Sequence, residues 1–221
     1  MPGRLADEDD PGANVTDSLV TIIDDDEPLR AGLERLFRSV GHQTRAFPSV
    51  QSFLDTAAHG VTPDLPACLV LDVRLPGMSG LEFQASFNRL GIEIPVIFMT
   101  GFGDIPSSVR AMKLGAVDFL PKPFREQDLL DAVSRAIRID ADRRRTRADA
   151  AELRARYDTL TRREREVMAH AVSGLMNKQI AGELGLSEVT VKIHRGSMMR
   201  KMGVRSIAEL VRLSYVLNGA Q

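Results

Sequence analysis

Five short apolar segments alternate with five longer amphipathic segments between Ser18 and Ile139, and this alternation is the strongest constraint on the fold. The segments CLVLD and PVIFMT are almost wholly apolar, which is typical of parallel strands that helices cover on both faces. The helical period of the segments between the strands supplies those covering helices. The sequence therefore predicts an α/β fold, a doubly wound parallel sheet of (βα)5 type, over residues 17–139.

The predicted elements follow one another in strict order. Strands are predicted at residues 18–23, 43–47, 67–71, 95–100 and 118–120, and helices at 27–40, 50–58, 79–90, 105–114 and 126–139. In such sheets, ligands bind outside the carboxyl ends of the strands, near the switch in strand order. The polar residues that directly follow each strand are therefore the candidate site residues.

Three other segments complete the chain. Residues 1–16 are rich in Asp, Gly and Pro and predict a disordered acidic tail. Residues 140–157 are charged and free of Gly and Pro, which favours a solvated helical linker, although its run of arginines could also contact nucleic acid. Residues 158–221 contain four short helical segments and no strand signal, and predict a separate all-α domain.

Charge is distributed unevenly along the chain. Residues 1–138 contain 20 acidic and 13 basic residues, a net charge of −7, whereas residues 139–221 contain 10 acidic and 16 basic, a net charge of +6. This asymmetry indicates a cation as a ligand of the first part and a polyanion such as nucleic acid for the second, although sorting of surface charge for solubility would look similar.

No apolar stretch reaches the roughly 20 residues that span a bilayer, and the acidic N-terminus does not resemble a secretion signal. The single cysteine, Cys68, lies in an apolar run and is expected in the core. A cytoplasmic protein with no membrane partner is therefore expected.

Polar side chains follow four of the five predicted strands. Asp24 and Asp25 follow the first, Asp72 the third, Thr100 the fourth and Lys122 the fifth. Crowded carboxylates repel one another, which is best explained by a hard divalent cation, with Mg²⁺ the best match. A carboxylate beside such a cation can attack phosphorus and form an aspartyl-phosphate.

Each of these residues, taken singly, also fits a structural role such as a helix cap or a surface charge. Asp26 in particular is expected to cap the first helix. Their joint placement at strand ends favours the phosphorylation site. Lys122 would then face the phosphoryl oxygens, and Thr100 would supply a hydroxyl.

The motifs IIDDDEPLR, LVLDVRLPGMSGLE, MTGFGD and DFLPKPF resemble those of bacterial receiver domains in order and spacing, over about residues 18–138. The resemblance implies that Asp72 is the phosphoacceptor, Asp24 and Asp25 are the acidic metal pair, and Lys122 binds phosphate. It also implies that the Mg²⁺ ligands are Asp25, Asp72 and the backbone carbonyl of Arg74, with Asp24 acting largely through water.

The same resemblance implies a switch. Thr100 would move toward the phosphoryl group and Phe119 would turn inward behind it, which would make residues 105–138 a dimer surface. Lys122–Pro123 would be a cis peptide bond. Arg74 and Phe102 stand at variable positions of the receiver pattern and leave the rate of dephosphorylation open.

The segment NKQIAGELGLSEVTVKIHRGSMMRKMGV predicts a helix-turn-helix, with a tight turn at Gly185 and a second helix capped by Ser187. The side chains expected to face the core are Ile180, Ala181, Leu184, Val189, Val191 or Ile193, Met198 and Met202. The polar side chains of the second helix stay available for DNA.

Residues 160–217 resemble the LuxR-type DNA-binding domain, and with the receiver the chain resembles the NarL/FixJ family of response regulators, in its FixJ-like branch. The resemblance implies that residues 187–202 enter the major groove. The side chains expected to reach bases or phosphates are Lys192, His194 and Arg195, and those expected to position the duplex are Asn177, Lys178, Thr190 and Lys201. Gly196 stands where some relatives carry a basic residue, so their half-site preference cannot be transferred.

The expected function is that of a two-component response regulator. A sensor histidine kinase would phosphorylate Asp72, the chain would form a homodimer and bind double-stranded DNA, and transcription would be activated, with RNA polymerase as a candidate partner. The DNA-binding domain would either be released from inhibition or be paired with a second copy on an inverted repeat. No enzyme activity is expected beyond the receiver's own phosphoryl transfer and slow dephosphorylation.

Three other functions fit the sequence less well. A phosphohydrolase of the haloacid-dehalogenase type would need an acid/base Asp two residues after Asp72, where Arg74 stands. A dimerisation platform that needs no phosphorylation would not require the set of strand-end residues. A ligand-sensing front domain would need an apolar pocket instead of carboxylates.

Overall fold

The computed structural model describes residues 18–57, 64–101 and 105–219. The predicted tail at 1–16 and Phe102 lie outside the described residues. The chain divides into two compact units between Arg144 and Arg145, inside the segment predicted to be a linker. Each unit has hydrophobic cores of its own.

The first unit contains a sheet of five parallel strands, which confirms the predicted fold class. The strands are β1 (Leu19–Ile23), β2 (Gln43–Phe47), β3 (Ala67–Asp72), β4 (Val96–Thr100) and β5 (Asp118–Pro121). Their order in the sheet is β2-β1-β3-β4-β5. The direction of winding reverses between β1 and β3, so the crevice expected at such a switch point opens beside the ends of these two strands.

Helices cover both faces of the sheet. They are α1 (Glu27–Ser39), α2 (Val50–Ala57), α3 (Gly80–Ala85), α4 (Phe87–Leu90), α5 (Ile105–Lys113) and α6 (Glu126–Asp158). Phe37 of α1 and Leu129 of α6 belong to one hydrophobic core, and Phe53 of α2 and Phe83 of α3 belong to the other. Cys68 is buried in the first of these cores, as expected.

One helix differs from the sequence-based prediction, and the last helix of the first unit agrees with it. The single helix predicted at 79–90 is divided into α3 and α4 at Ser86, whose hydroxyl donates to the Phe83 carbonyl oxygen. Serine side chains compete in this way for backbone hydrogen bonds. The helix predicted at 126–139 and the helical linker predicted to continue from it at 140–157 form one continuous helix, α6, which ends at Asp158. No helix in the described ranges is both long and apolar enough to cross a membrane.

A buried carboxylate fixes α6 to the sheet within the first unit. Asp140 is fully buried and accepts a hydrogen bond of 2.9 Å from the backbone amide of Ala67, the first residue of β3. The Arg144 guanidinium donates to the same carboxylate at 2.6 Å, and Arg143 also pairs with it. One end of β3 is thus anchored to α6, and the other end carries Asp72.

The second unit contains four helices after the end of α6, α7 (Arg162–Val172), α8 (Asn177–Leu184), α9 (Glu188–Met202) and α10 (Ile207–Gly219). Gly185 adopts a positive φ of 63° at the end of α8, and Ser187 caps α9 by accepting from the Thr190 amide. The predicted helix-turn-helix is therefore present as α8 and α9.

The prediction that Val189 faces the core of this unit is wrong, whereas the prediction that either Val191 or Ile193 does so is confirmed for Val191. Val189 is 69% exposed, and Ile193 is 65% exposed, whereas Val191 is fully buried. Successive residues of a helix are rotated by about 100° around its axis, so side chains two residues apart point to nearly opposite sides. Once Val191 fills the core, Val189 and Ile193 must face outward.

Candidate phosphorylation site and nucleic-acid interface

The carboxyl ends of three strands bring Asp24, Asp25, Asp72 and Lys122 together. One carboxylate oxygen from each of the three aspartates lies within 4.8 Å of the others. Asp24 is fully buried, Asp72 is buried and Asp25 is exposed. The strand ends therefore converge as the sequence predicted, because parallel strands present their carboxyl ends at one edge of the sheet.

Lys122 joins the two buried carboxylates. Its Nζ atom lies 2.6 Å from Oδ2 of Asp24 and 2.9 Å from Oδ2 of Asp72. Burial lowers the pKa of Lys122, but the hydrogen bonds to the two carboxylates outweigh burial and raise the pKa above its ordinary value. Lys122 is therefore a permanent positive charge at this edge of the sheet.

Negative charge nevertheless exceeds positive charge in this cluster, where three carboxylates face one ammonium group. Burial raises the pKa of Asp24 by more than the hydrogen bonds from Lys122 and the Asp26 amide lower it. Crowded, partly dehydrated carboxylate oxygens are the ligands that hard divalent cations prefer. The donor set of Asp24, Asp25 and Asp72 therefore fits a metal ion.

Local hydrogen bonds hold these carboxylates in place. The Asp24 carboxylate accepts from the Asp26 amide at 2.9 Å, and its carbonyl oxygen accepts from Arg30 at 2.6 Å. Asp26 caps α1 by accepting from the Leu29 amide, as expected. The amide of Arg74 donates to Oδ1 of Asp72 at 3.1 Å. The Arg74 carbonyl as a metal ligand stays a prediction.

Sequence reasoning missed Gly80, which packs directly against the backbone of Asp72. A Cβ atom at Gly80 would lie 2.2 Å from the backbone oxygen of Asp72, far closer than two such atoms can approach. The start of α3 can approach the end of β3 only because this residue has no side chain. The available signal was a glycine directly after Ser79, whose side chain and that of Glu82 form a capping box.

The two residues of the expected switch lie on neighbouring strands. Thr100 is fully buried at the end of β4, where its carbonyl oxygen accepts from the Lys122 amide at 2.7 Å. Phe119 of β5 is half-buried and packs beside Phe98, with ring centroids 6.3 Å apart. The Lys122–Pro123 peptide bond is cis, as predicted.

The candidate DNA contacts divide into two groups. Lys192 and Lys178 are exposed, and Thr190 and His194 are half-buried. The Thr190 hydroxyl lies 2.8 Å from that of the cap residue Ser187. Lys192 and Lys178 are therefore the more accessible of these four side chains for an approaching duplex.

The remaining candidates have partners inside the second unit. Arg195 donates to Oδ1 of Asn177 at 2.7 Å, which connects α9 to the first residue of α8. Lys201 lies 2.7 Å from a carboxylate oxygen of Glu164 and donates to the Thr159 carbonyl oxygen at 3.1 Å. The Arg195 contact joins the two helices of the helix-turn-helix, and the Lys201 contacts join α9 to Glu164 of α7 and to Thr159 just before it.

Fold and site together define a class of protein, a response regulator with a receiver domain and a DNA-binding domain. Residues 20–134 match the family described as response regulator receiver domain. Residues 158–214 match the bacterial regulatory proteins of the luxR family. The first match covers more than half of the chain, and both agree with the boundaries of the two units.

Similar proteins match this chain over most of its length. Nodulation protein W of Bradyrhizobium diazoefficiens is 52% identical over 91% of this chain and 87% of its own. The transcriptional regulatory protein FixJ of Rhizobium meliloti is 41% identical over 90% of this chain and 96% of its own. The solved structure of the response regulator StyR is 47% identical, with a TM-score of 0.80 over 90% of this chain and 98% of that one.

The chain belongs to the FixJ-like response regulators, which join a receiver domain to a LuxR-type DNA-binding domain. It is a transcription regulator controlled by phosphorylation, and not an enzyme in the usual sense. A receiver domain implies a sensor kinase as partner, and a LuxR-type domain implies DNA.

Proposed function

We propose that Asp72 accepts a phosphoryl group from the phosphohistidine of a sensor kinase and thereby controls DNA binding by the second unit. The observation that carries this assignment is the position of Asp72. Its carboxylate lies at the switch point of the sheet, 2.9 Å from Lys122 and beside Asp24 and Asp25.

The chemistry follows from the charges around this carboxylate. An oxygen of Asp72 attacks phosphorus, an O–P bond forms, and the P–N bond to the kinase imidazole breaks. Asp25, Asp72 and the Arg74 carbonyl would hold Mg²⁺, with Asp24 acting largely through water, and the ion would neutralise phosphoryl charge. Lys122 supplies the second positive charge. Arg74 stands where a phosphohydrolase of the haloacid-dehalogenase type would need an acid/base Asp, which favours a stable aspartyl-phosphate over turnover.

A small phosphodonor with a P–N bond, such as phosphoramidate, tests this assignment in the presence of Mg²⁺. Wild type gains the mass of one phosphoryl group, and Asp72→Asn gains none. Asp55→Asn is the matched control, because Asp55 is an exposed aspartate of α2 and keeps full phosphorylation. Equal phosphorylation of wild type and Asp72→Asn overturns the assignment and leaves a dimerisation platform as the alternative.

The signal passes to the face formed by residues 105–138. Thr100 moves toward the phosphoryl group and Phe119 turns inward, which reshapes this face and makes it a homodimer surface. Its exposed apolar side chains support this step. Val109, Met112 and Leu114 are each between 41% and 50% exposed within six residues of the chain.

A charge placed on this face tests dimerisation. Met112→Asp is expected to be phosphorylated and to remain monomeric in sedimentation, whereas Val40→Asp, at an equally exposed apolar residue after α1, dimerises normally. The phosphorylated Met112→Asp monomer also separates the two routes to DNA binding. Higher affinity for a single half-site indicates release from inhibition, and unchanged affinity indicates pairing of two copies. Dimerisation of phosphorylated Met112→Asp contradicts the proposed face.

The DNA-binding surface consists of Asn177, Lys178, Thr190, Lys192, His194, Arg195 and Lys201. Lys192 and Lys178 contact DNA most directly in this proposal, whereas Arg195 also holds α9 against α8 and Lys201 also holds α9 against α7. A Lys→Ala change that removes one lysine–phosphate interaction should make the plot of log binding constant against log salt concentration less steep, by a slope of about one. The protein acts in the cytoplasm. The bound dimer recruits RNA polymerase, and this recruitment activates transcription. A reporter gene behind a selected site tests activation.

A further inference from the structure

The centre of the exposed face of α9 contains more apolar surface than charge. Its exposed residues repeat at helical spacing along one stripe, which consists of Glu188, Val189, Lys192, Ile193, Gly196 and Arg200. Between its ends this stripe carries a single positive charge, at Lys192. Two large apolar side chains and a glycine occupy the rest of its centre.

Val189 and Ile193 are not part of either core of the second unit. The α9 side chains that fill those cores are Val191, Met198 and Met202, which are all fully buried. Val189 and Ile193 lie four residues apart, so their side chains are neighbours on the outside of the helix. At Gly196 a Cβ atom would have nothing within 4 Å, which leaves an open space beside Ile193. The stripe is therefore an apolar surface with room around it.

We infer that Val189 and Ile193 read thymine methyl groups in the major groove, an inference that rests on the proposed DNA binding. Thymine is the base that presents an apolar group, its C5-methyl, in the major groove, and apolar side chains contact it. Two branched apolar side chains at adjacent positions match two such methyl groups. The DNA-binding site should accordingly contain thymines at the base pairs that Val189 and Ile193 contact.

The charge around the stripe favours DNA over a protein as its occupant. The second unit, residues 145–221, contains 14 basic and 8 acidic residues, a net charge of +6. Lys192 and Arg200 on the stripe itself, together with Lys178 on α8, are exposed positive charges. Such charge draws in phosphates and holds the helix against the groove, while the apolar centre supplies sequence preference.

Removing single methyl groups from DNA tests the inference without changing the protein. The phosphorylated full-length chain first selects its site from random sequence, and each thymine of that site is then replaced by uracil, which lacks only the methyl group. Affinity is expected to fall about fourfold at each of two thymines in every half-site, the value of one buried methyl group. Uracil elsewhere in the site has no effect.

Protein variants then assign each methyl group to a side chain. Val189→Ala and Ile193→Ala should each weaken binding, and each variant should become insensitive to uracil at one of the two thymines. Val216→Ala is the matched control, because Val216 is an exposed valine of α10 and should keep wild-type affinity and both uracil effects. All three side chains are exposed, so the melting temperature should not change.

The outcomes separate this inference from the proposed function. If wild type selects a site but uracil is neutral everywhere, or if both alanine variants keep full sensitivity to uracil, the reading of methyl groups is overturned and the proposed function stands. If the alanine variants change oligomeric state instead of DNA affinity, the stripe is an interface between copies, which also overturns the inference. If the phosphorylated chain selects no sequence at all, the proposed function and the inference fail together.

Discussion

The two units each contain a buried carboxylate bound to a lysine, and the two clusters behave in opposite ways. In the first unit, Lys122 lies 2.6 Å from Asp24 and 2.9 Å from Asp72. In the second unit, Lys201 lies 2.7 Å from Glu164. The distances are alike, yet the pKa of Asp24 is raised above its ordinary value and the pKa of Glu164 is lowered to about 2.

The difference arises from the balance of charges and donors. Burial raises the pKa of Glu164, but hydrogen bonds from Lys201, from Ser197 and from the backbone and side chain of Thr161 outweigh it. Glu164 is one carboxylate with several donors, whereas Lys122 is one donor shared by carboxylates that also repel each other. A short lysine–carboxylate distance therefore identifies no function by itself. The cluster around Lys122 has excess negative charge and can bind a cation. The Glu164–Lys201 pair has no excess charge and stabilises the fold.

The largest expected effect comes from removing the balanced carboxylate. Glu164→Ala takes away the capping box of α7 and leaves Lys201 without this partner, so it should lower the free energy of unfolding of the second unit by about 3 kcal/mol. Chemical denaturation of the full chain, followed by a probe in the second unit, measures the loss. Glu166→Ala, which removes only ion pairs with exposed arginines on the same helix, should lower the free energy of unfolding far less. Equal losses in both variants would refute the distinction.

Acid should remove the same contribution. The pKa of Glu164 is lowered in the folded state, so its stabilisation is present above the unfolded value of 4.5 and is lost as the pH falls toward about 2. After allowance for solvent screening, the loss for the second unit should be about 2 kcal/mol. Unfolding curves between neutral pH and pH 2 measure it. The difference between wild type and Glu164→Ala should shrink over this range, and a constant difference would contradict the low pKa.

A methyl group at Gly80 should disturb the cluster of carboxylates around Lys122. The Cβ atom of Gly80→Ala would press on the backbone oxygen of Asp72, which should destabilise the first unit by about 2 kcal/mol and slow phosphorylation. Gly32→Ala on α1 is the matched control, because nothing lies within 4 Å of its Cβ position. A glycine replaced by alanine in a helix should raise stability by about 0.5–1 kcal/mol. Unfolding and phosphorylation rates of both variants are the measurements, and normal phosphorylation of Gly80→Ala would contradict the role assigned to this residue.

The smallest effect should have the opposite sign. Asp24→Asn removes one repelling charge and keeps the acceptor for the Asp26 amide, so without divalent ions it should stabilise the first unit by about 1 kcal/mol. Mg²⁺ should raise the melting temperature of wild type and have little effect on the variant. Melting with and without EDTA measures both effects. If the variant is less stable than wild type without Mg²⁺, the hydrogen bonds to the Asp24 carboxylate outweigh burial and repulsion, as they do for Glu164.

Local patterns predicted the architecture well, because strand and helix periods depend on neighbouring residues. The alternation of apolar segments predicted five parallel strands, and the glycine at 185 predicted the turn between α8 and α9. The cluster of Asp24, Asp25, Asp72 and Lys122 was also predictable, because any residue directly after a parallel strand lies at the same edge of the sheet.

Patterns failed where the answer depended on contacts between distant segments. The period of α9 allowed Val189 to face the core or the solvent, and only packing of Val191 against α7 and α8 residues decided it. Ser86 divided a helix that periodicity would have continued.

The sequence by itself determined the order of elements, the two-domain division of charge and the residues at the strand ends, since all of these follow from local composition and spacing. Tertiary structure decided how each charge is used. It paired Lys201 with Glu164, 37 residues away, and it placed Gly80 against the backbone of Asp72. The physical reason is that desolvation and charge balance depend on every group that surrounds a side chain, and the chain brings those groups together only when it folds.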